Sequence, residues 1–236
     1  MENILQINNV CKNFGTGLIL DQVSLAVTQN EIFGLLGLNG AGKTTLFKCI
    51  LQLLKLDSGE ILYKGEKLEL PVIHEKIGYL PEFYLPPGEL KAAEYLKLLS
   101  IAVGGKKPDV EALLMKADLA ADKMIRDYSR GMIQRLGVLI ALLKSPEFVI
   151  LDEPTLGLDP LARINLLNWL KELNRQGTTI MLSSHDFDQV EKLCQRIAVM
   201  HQHKIRYIGT IEEFTKKHST TSLEEAFLKE TGGINA

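Results

Sequence analysis

The amino-acid sequence predicts an α/β protein: a mainly parallel sheet, an N-terminal antiparallel β patch and an inserted α-helical subdomain. Three observations carry that expectation. Residues 31–36 (EIFGLL), 148–151 (FVIL) and 178–182 (TTIML) are short apolar runs of the length of buried strands. Segments with helical spacing alternate with them, as expected of helices packed on a parallel sheet. Residues 86–143, in contrast, are mostly helical in pattern.

Taken in order, residues 4–10 and 20–27 are β-rich with partial alternation and predict two strands of the antiparallel patch. Residues 31–36 run into glycines, and residues 43–54 then place Leu46, Ile50 and Leu53–Leu54 at helical spacing. Ala92–Ala93, Tyr95–Leu96 and Leu99 recur at helical intervals, and residues 136–143 are apolar nearly all round, as in a buried helix. Ile164, Leu167, Leu170 and Leu173 predict one buried helix face, with Gly177 as its stop signal. Residues 186–194 predict a helix, and residues 197–200 and 205–208 a closing hairpin. The tail holds one short amphipathic segment, 223–228. The expected organisation is one domain over 1–236: a core at about 1–82 and 146–218, a helical subdomain at about 83–145, and a tail at 219–236.

With 236 residues, 46% hydrophobic and 24% charged, the chain has the make-up of a globular domain with a large core. A net charge of −2 leaves no basic footprint, so no nucleic-acid partner is expected. The pairs Lys106–Lys107 and Lys216–Lys217 read as solvated surface. Residues 1–3 open without a basic segment and apolar run, so no secretory signal is expected. Residues 136–143 are less than half of a membrane span, so any membrane role requires a partner. Cys11, Cys49 and Cys194 are odd in number and far apart, which predicts reduced thiols in a cytosolic protein.

The chemistry starts at Gly37-Leu38-Asn39-Gly40-Ala41-Gly42-Lys43-Thr44, which satisfies the P-loop pattern between a predicted strand and a predicted helix. Glycines let the backbone bend so that several N–H groups converge on phosphate oxygens. The helix N-terminus adds potential favourable to anions. Lys43 can reach the β- and γ-phosphates, the Thr44 hydroxyl can bind Mg²⁺, and Thr45 lies beside it. Over a hundred residues on, the apolar run 148–151 ends in Asp152 and Glu153. Asp152 suits the Mg²⁺ shell and Glu153 is placed to orient or deprotonate an attacking water. The fold class thereby sharpens to a P-loop NTPase core.

Further motifs, in a family's order, resemble the ATP-binding cassette (ABC) family over nearly the whole chain. Tyr128-Ser129-Arg130-Gly131-Met132-Ile133-Gln134-Arg135 resembles the signature motif, with Arg130 and Met132 in place of its first glycine and glutamine. Asp159 in Gly157-Leu158-Asp159-Pro160 resembles the D-loop, His185 after Ser183–Ser184 the switch histidine, and Phe14 the aromatic that stacks on adenine. Glu82 sits at the Q-loop position in place of the usual glutamine, where a carboxylate could still serve Mg²⁺. Ser129 is also a good N-cap for the helix that follows it.

The resemblance implies ATP and Mg²⁺ as cofactors and a two-fold, head-to-tail dimer in which each ATP lies between one P-loop and the opposite signature. It implies a homodimer or pseudo-dimer that drives a separate integral-membrane permease from the inner face of the cell membrane, in the exporter-like branch. Residues 222–228 resemble a segment that often ends such subunits. The apolar stretch Phe83-Tyr84-Leu85-Pro86-Pro87 suits a surface that meets the permease. The alternative, an ABC-type ATPase driving a soluble assembly, predicts fused cassettes, coiled coils or basic extensions, which this sequence lacks. A P-loop kinase or GTPase leaves Ser129, Asp159 and His185 without a role.

Overall fold

The computed structural model describes residues 2–15, 17–102 and 109–233; the predicted surface pair Lys106–Lys107 lies outside them. The chain begins with β1 (Asn3–Phe14) and β2 (Gly17–Thr28), paired antiparallel. Then follow β3 (Ile32–Leu36), α1 (Lys43–Ile50), β4 (Ser58–Tyr63), β5 (Glu66–Lys67), α2 (Leu70–Lys76) and β6 (Ile77–Leu80). A helical stretch comes next: α3 (Ala92–Ala102), α4 (Val110–Lys116) and α5 (Arg130–Ala141). The chain returns through β7 (Phe148–Asp152), α6 (Pro160–Arg175), β8 (Thr179–Ser184), α7 (Phe187–Leu193), β9 (Arg196–His201) and β10 (Lys204–Thr210). It closes with α8 (Ile211–Lys217) and α9 (Leu223–Thr231).

Two sheets result. The first is antiparallel, in the order β2-β1-β4-β5; the second has the order β10-β9-β3-β8-β7-β6 and is parallel except for its β9–β10 hairpin. Side chains on a strand alternate between faces, and here both faces of the second sheet are covered. Phe33, Leu35, Phe148, Ile150 and Met181 join one core with α1 and the antiparallel sheet. Ile32, Leu36, Val149, Leu151, Ile180 and Leu182 join a second core with α6, α7, α8 and α9. This explains why the central strands read as unbroken apolar runs. A third, smaller core lies among α3, α4 and α5.

Two helical expectations need correction. The first helix stops at Ile50 rather than running to Leu54, because Gln52 turns left-handed (φ 54°) and its side-chain amide donates to the Leu68 carbonyl at 2.6 Å. On α6 the buried face is Leu166, Leu167, Leu170 and Leu173, while Ile164 is 54% exposed. At about 100° per residue the buried set centres between Leu166 and Leu170, and Ile164 falls beyond Leu167 on the solvent side. Among the described residues no helix is long and apolar enough to cross a membrane.

Candidate active site

β3, β8 and β7 are parallel neighbours, with Leu36 level with Ser184 and Asp152 level with Ser183. Whatever follows these strands therefore gathers at one sheet edge, where open α/β sheets bind ligands. The loop after β3 turns through Gly40 (φ 81°) and Gly42 (φ 112°) into α1. Gly42 needs more than its conformation: a Cβ there would lie 2.7 Å from the Ile19 carbonyl oxygen. Lys43, the first residue of α1, is only 6% exposed. Its ammonium donates to the Gly37 carbonyl at 2.6 Å and lies 3.3 Å from Glu153 Oε1.

Asp152 closes β7 and is fully buried. Its Oδ1 accepts from the Ser183 hydroxyl at 2.5 Å, while its Oδ2 is buried without a hydrogen-bond partner. Burial pushes the Asp152 carboxyl above its ordinary range, against the pull of the Ser183 and Thr44 hydroxyls; the Glu153 charge adds to the rise. Glu153 adopts a left-handed backbone (φ 48°), and its Oε1 lies 3.0 Å from Nδ1 of His185. Glu82 is raised too, first by burial and then by the charges of Asp152 and Glu153.

A cleft of about 550 Å³ runs along this edge, lined by Phe14, Ile19, the loop from Leu38 through Thr45, Glu82 and Glu153. The structure thus brings Phe14, Leu38, Asn39, Gly40, Ala41, Gly42, Lys43, Thr44, Thr45, Glu82 and Glu153 around one cavity, with His185 Nδ1 3.0 Å from Glu153 Oε1 and the buried Asp152 carboxyl drawn on by the Thr44 hydroxyl. The donor set fits Mg²⁺: hard oxygens from a hydroxyl and carboxylates, including the unpartnered Asp152 Oδ2, suit a small hard cation. The sequence missed two neighbours. Ile19 forms part of the wall, and Ser183 ties β8 to the carboxylates. A hydroxyl two residues before His185, at the end of an otherwise apolar strand, was the available signal for Ser183.

The signature segment lies elsewhere. Ser129 caps α5, its hydroxyl accepting from Met132 N at 3.3 Å, and Ser129 and Arg130 are exposed. Gly131 packs so tightly on α6 that a Cβ would lie 2.9 Å from the Ala162 methyl. Met132 turns into the helical core. Arg130 crosses Gly157: a Cβ there would lie 2.0 Å from its guanidinium. Asp159 caps α6, accepting from Ala162 N at 2.9 Å. Ser129, Arg130, Gly131, Met132 and Asp159 do not line this chain's own cleft.

A phosphate-binding loop at the edge of a parallel sheet, facing two strand-end carboxylates, defines a P-loop nucleotide-binding protein. The ABC transporter family model matches residues 20–156, more than half of the chain, and the chain belongs to that family. It is 36% identical over 227 residues to a bacitracin transport ATP-binding protein of Enterococcus faecalis, covering 92% of this chain and 73% of that one. It is also 36% identical over 226 residues to an uncharacterised ABC transporter ATP-binding protein of Synechocystis, covering 89% of this chain and 64% of that relative's length. Among solved structures, the ATP-binding subunit of an ABC transporter matches with TM-score 0.85 and 30% identity, over 96% of this chain and 99% of that one. A dimeric ATP-binding cassette in a post-hydrolysis state, bound to ADP and Pi, matches with TM-score 0.78 and 25% identity over 87% and 98%.

Proposed function

We propose that this chain is the Mg²⁺-dependent, ATP-hydrolysing subunit of an ABC transporter, working as a head-to-tail dimer that energises a separate membrane permease. The observation that carries the reading is the convergence of Lys43, Asp152, Glu153 and His185 at one strand edge beside the phosphate loop. Loop N–H groups and the Lys43 ammonium hold the β- and γ-phosphates, and Phe14 stacks on adenine. Thr44, Asp152 and Glu82 would hold Mg²⁺, which when bound offsets phosphate charge. Glu153 accepts a proton from the water that attacks the γ-phosphorus, and the bond to the ADP oxygen breaks. His185, whose Nδ1 lies 3.0 Å from Glu153 Oε1, neighbours that carboxylate and contacts the γ-phosphate.

Ser129 and Gly131, which do not line their own chain's cleft, would complete the cleft of a second copy, with Asp159 at the crossing. The dimeric structural relative supports a dimer. The bacitracin transport relative supports a transport role, and the surface after Glu82 supports a membrane partner: Phe83 is 77% and Leu85 91% exposed, whereas Tyr84 turns inward. The separate core of α3, α4 and α5 supports a helical subdomain at about 83–145, between core segments at 1–82 and 146–218. Such a subunit would sit at the inner face of the membrane and has no nucleic-acid role.

Glu153→Gln tests the reading. It should bind ATP and Mg²⁺, release phosphate slowly, and run as a dimer on gel filtration. A variant that binds nucleotide yet stays monomeric would overturn the shared site.

A further inference from the structure

We infer that Ser183 is the positioning residue that sets both carboxylates at the end of β7, an assignment that rests on the ATPase reading above. Ser183 and Asp152 are level on neighbouring parallel strands, and Ser183 is fully buried. A hydroxyl carries one donor and two acceptor lone pairs, and Ser183 uses both functions. Its Oγ donates to Asp152 Oδ1 at 2.5 Å and accepts the backbone N–H of Glu153 at 2.9 Å.

The first bond selects which oxygen of Asp152 is free. With Oδ1 engaged, Oδ2 is left buried without a hydrogen-bond partner, the oxygen that a cation would meet. The second bond holds the chain where it bends. Glu153 has φ 48°, a left-handed conformation that residues other than glycine adopt rarely. That bend carries its Oε1 to 3.0 Å from His185 and 3.3 Å from Lys43. The neighbouring hydroxyl cannot substitute, because Ser184 Oγ turns the other way, toward Gln189 Oε1 at 3.3 Å and the Asp186 backbone N–H at 2.9 Å. One oxygen on β8 therefore fixes a carboxylate that serves the metal and the backbone of the carboxylate that serves water.

The test compares the full-length parent with Ser183→Ala and Ser183→Thr. ATP affinity is measured with Mg²⁺ and with EDTA, and phosphate release is measured across MgCl₂ concentrations. Ser183→Ala should bind ATP in EDTA within about twofold of the parent, since the loop and Lys43 are untouched. The gain in affinity on adding Mg²⁺ should shrink, and kcat should fall by about 10- to 100-fold, the usual loss when a residue behind a metal ligand is removed. Ser183→Thr, which keeps the hydroxyl, should recover most of both. If Ser183→Ala does not fold, Ser183→Cys keeps the volume with only a weak donor and must show the same two losses. A kcat within twofold of the parent with an unchanged Mg²⁺ effect overturns the assignment alone. A parent that binds ATP but releases no phosphate overturns both the assignment and the reading it rests on.

Discussion

Lys43 and Glu153 face each other across the cleft, Nζ to Oε1 at 3.3 Å, with side chains only 7% and 8% exposed. One opens α1 and the other follows β7, so the pair bridges the phosphate loop to the strand that carries the carboxylates. Removing one member of a buried pair costs more than the pair contributes, because the other charge stays desolvated. Lys43→Met should therefore abolish measurable ATP binding and also destabilise the fold by about 3 kcal/mol. Adding Glu153→Gln to Lys43→Met should return part of that stability while leaving ATP binding absent. Urea denaturation of the three proteins checks this; a double variant no more stable than Lys43→Met alone would count against it.

Glu82 lines the same cleft and feels the charges of Asp152 and Glu153. A third carboxylate there opposes phosphate binding whenever no divalent cation offsets it. Glu82→Gln should tighten ATP binding in EDTA by about two- to fivefold, on the order of 0.5–1 kcal/mol for a partly screened charge. In Mg²⁺ the difference should narrow. Equal affinities in EDTA would show that Glu82 does not act on the nucleotide's charge.

Much of this was legible because the chemistry sits on elements with strong local signals. β3, β7 and β8 are buried on both faces, so their sequences are unbroken apolar runs, and the P-loop needs its residue types at fixed spacing. The segments without a sequence signal have physical reasons for it. β4 (SGEILY) is exposed through its first half, so its apolar content is low. β6 has four residues, and α2 is a seven-residue helix with Pro71 at its start and one buried side chain. Ser183 was hidden differently: the value of its hydroxyl depends on Asp152 being level with it across the sheet, and pairing is not written in either strand alone.

β6 also supplies a stability prediction. Gly78 packs directly beneath the end of α5, where a Cβ would lie 2.1 Å from the Ala141 carbonyl oxygen and 2.9 Å from its carbon. The opposing atoms are backbone, so no rotamer change relieves the overlap; β6 and α5 must separate. Gly78→Ala should destabilise the protein by about 2–3 kcal/mol, at the upper end for overpacking, and lower its thermal midpoint. A midpoint unchanged within a degree would mean that the two elements yield more readily than their packing suggests.

Phe14 ends β1 at the mouth of the cleft and is 41% exposed, with the Lys12 ammonium 5.4 Å from its ring centroid. Its exposure means that truncation leaves no cavity in the core. Phe14→Ala should therefore preserve the melting temperature yet weaken ATP binding about tenfold, as loss of an aromatic–base stack of ~1–3 kcal/mol implies. Phe14→Trp should bind at least as well as the parent. If Phe14→Ala weakens ATP and inorganic triphosphate equally, stacking on the base is not what Phe14 contributes.

The tail provides the pH prediction. Glu230 on α9 accepts from Lys217 Nζ and lies within 2.6 Å of His218 Nε2, tying α9 to the end of α8. Burial alone would raise the Glu230 carboxyl, but the bonds from Lys217 and His218 outweigh it and hold the group below its ordinary value of 4.5. A carboxylate depressed in the folded state contributes stability above its unfolded value, and that contribution is lost as pH falls through its folded value. Glu230→Gln should thus melt below the parent at pH 7, by an amount equivalent to roughly 1 kcal/mol. The two midpoints should converge as pH drops below about 4.5, where the parent's carboxyl takes up its proton. Hydrogen exchange in α9 should follow the same course. A difference that stays constant from pH 7 to pH 3 would mean that Glu230 acts through packing rather than charge.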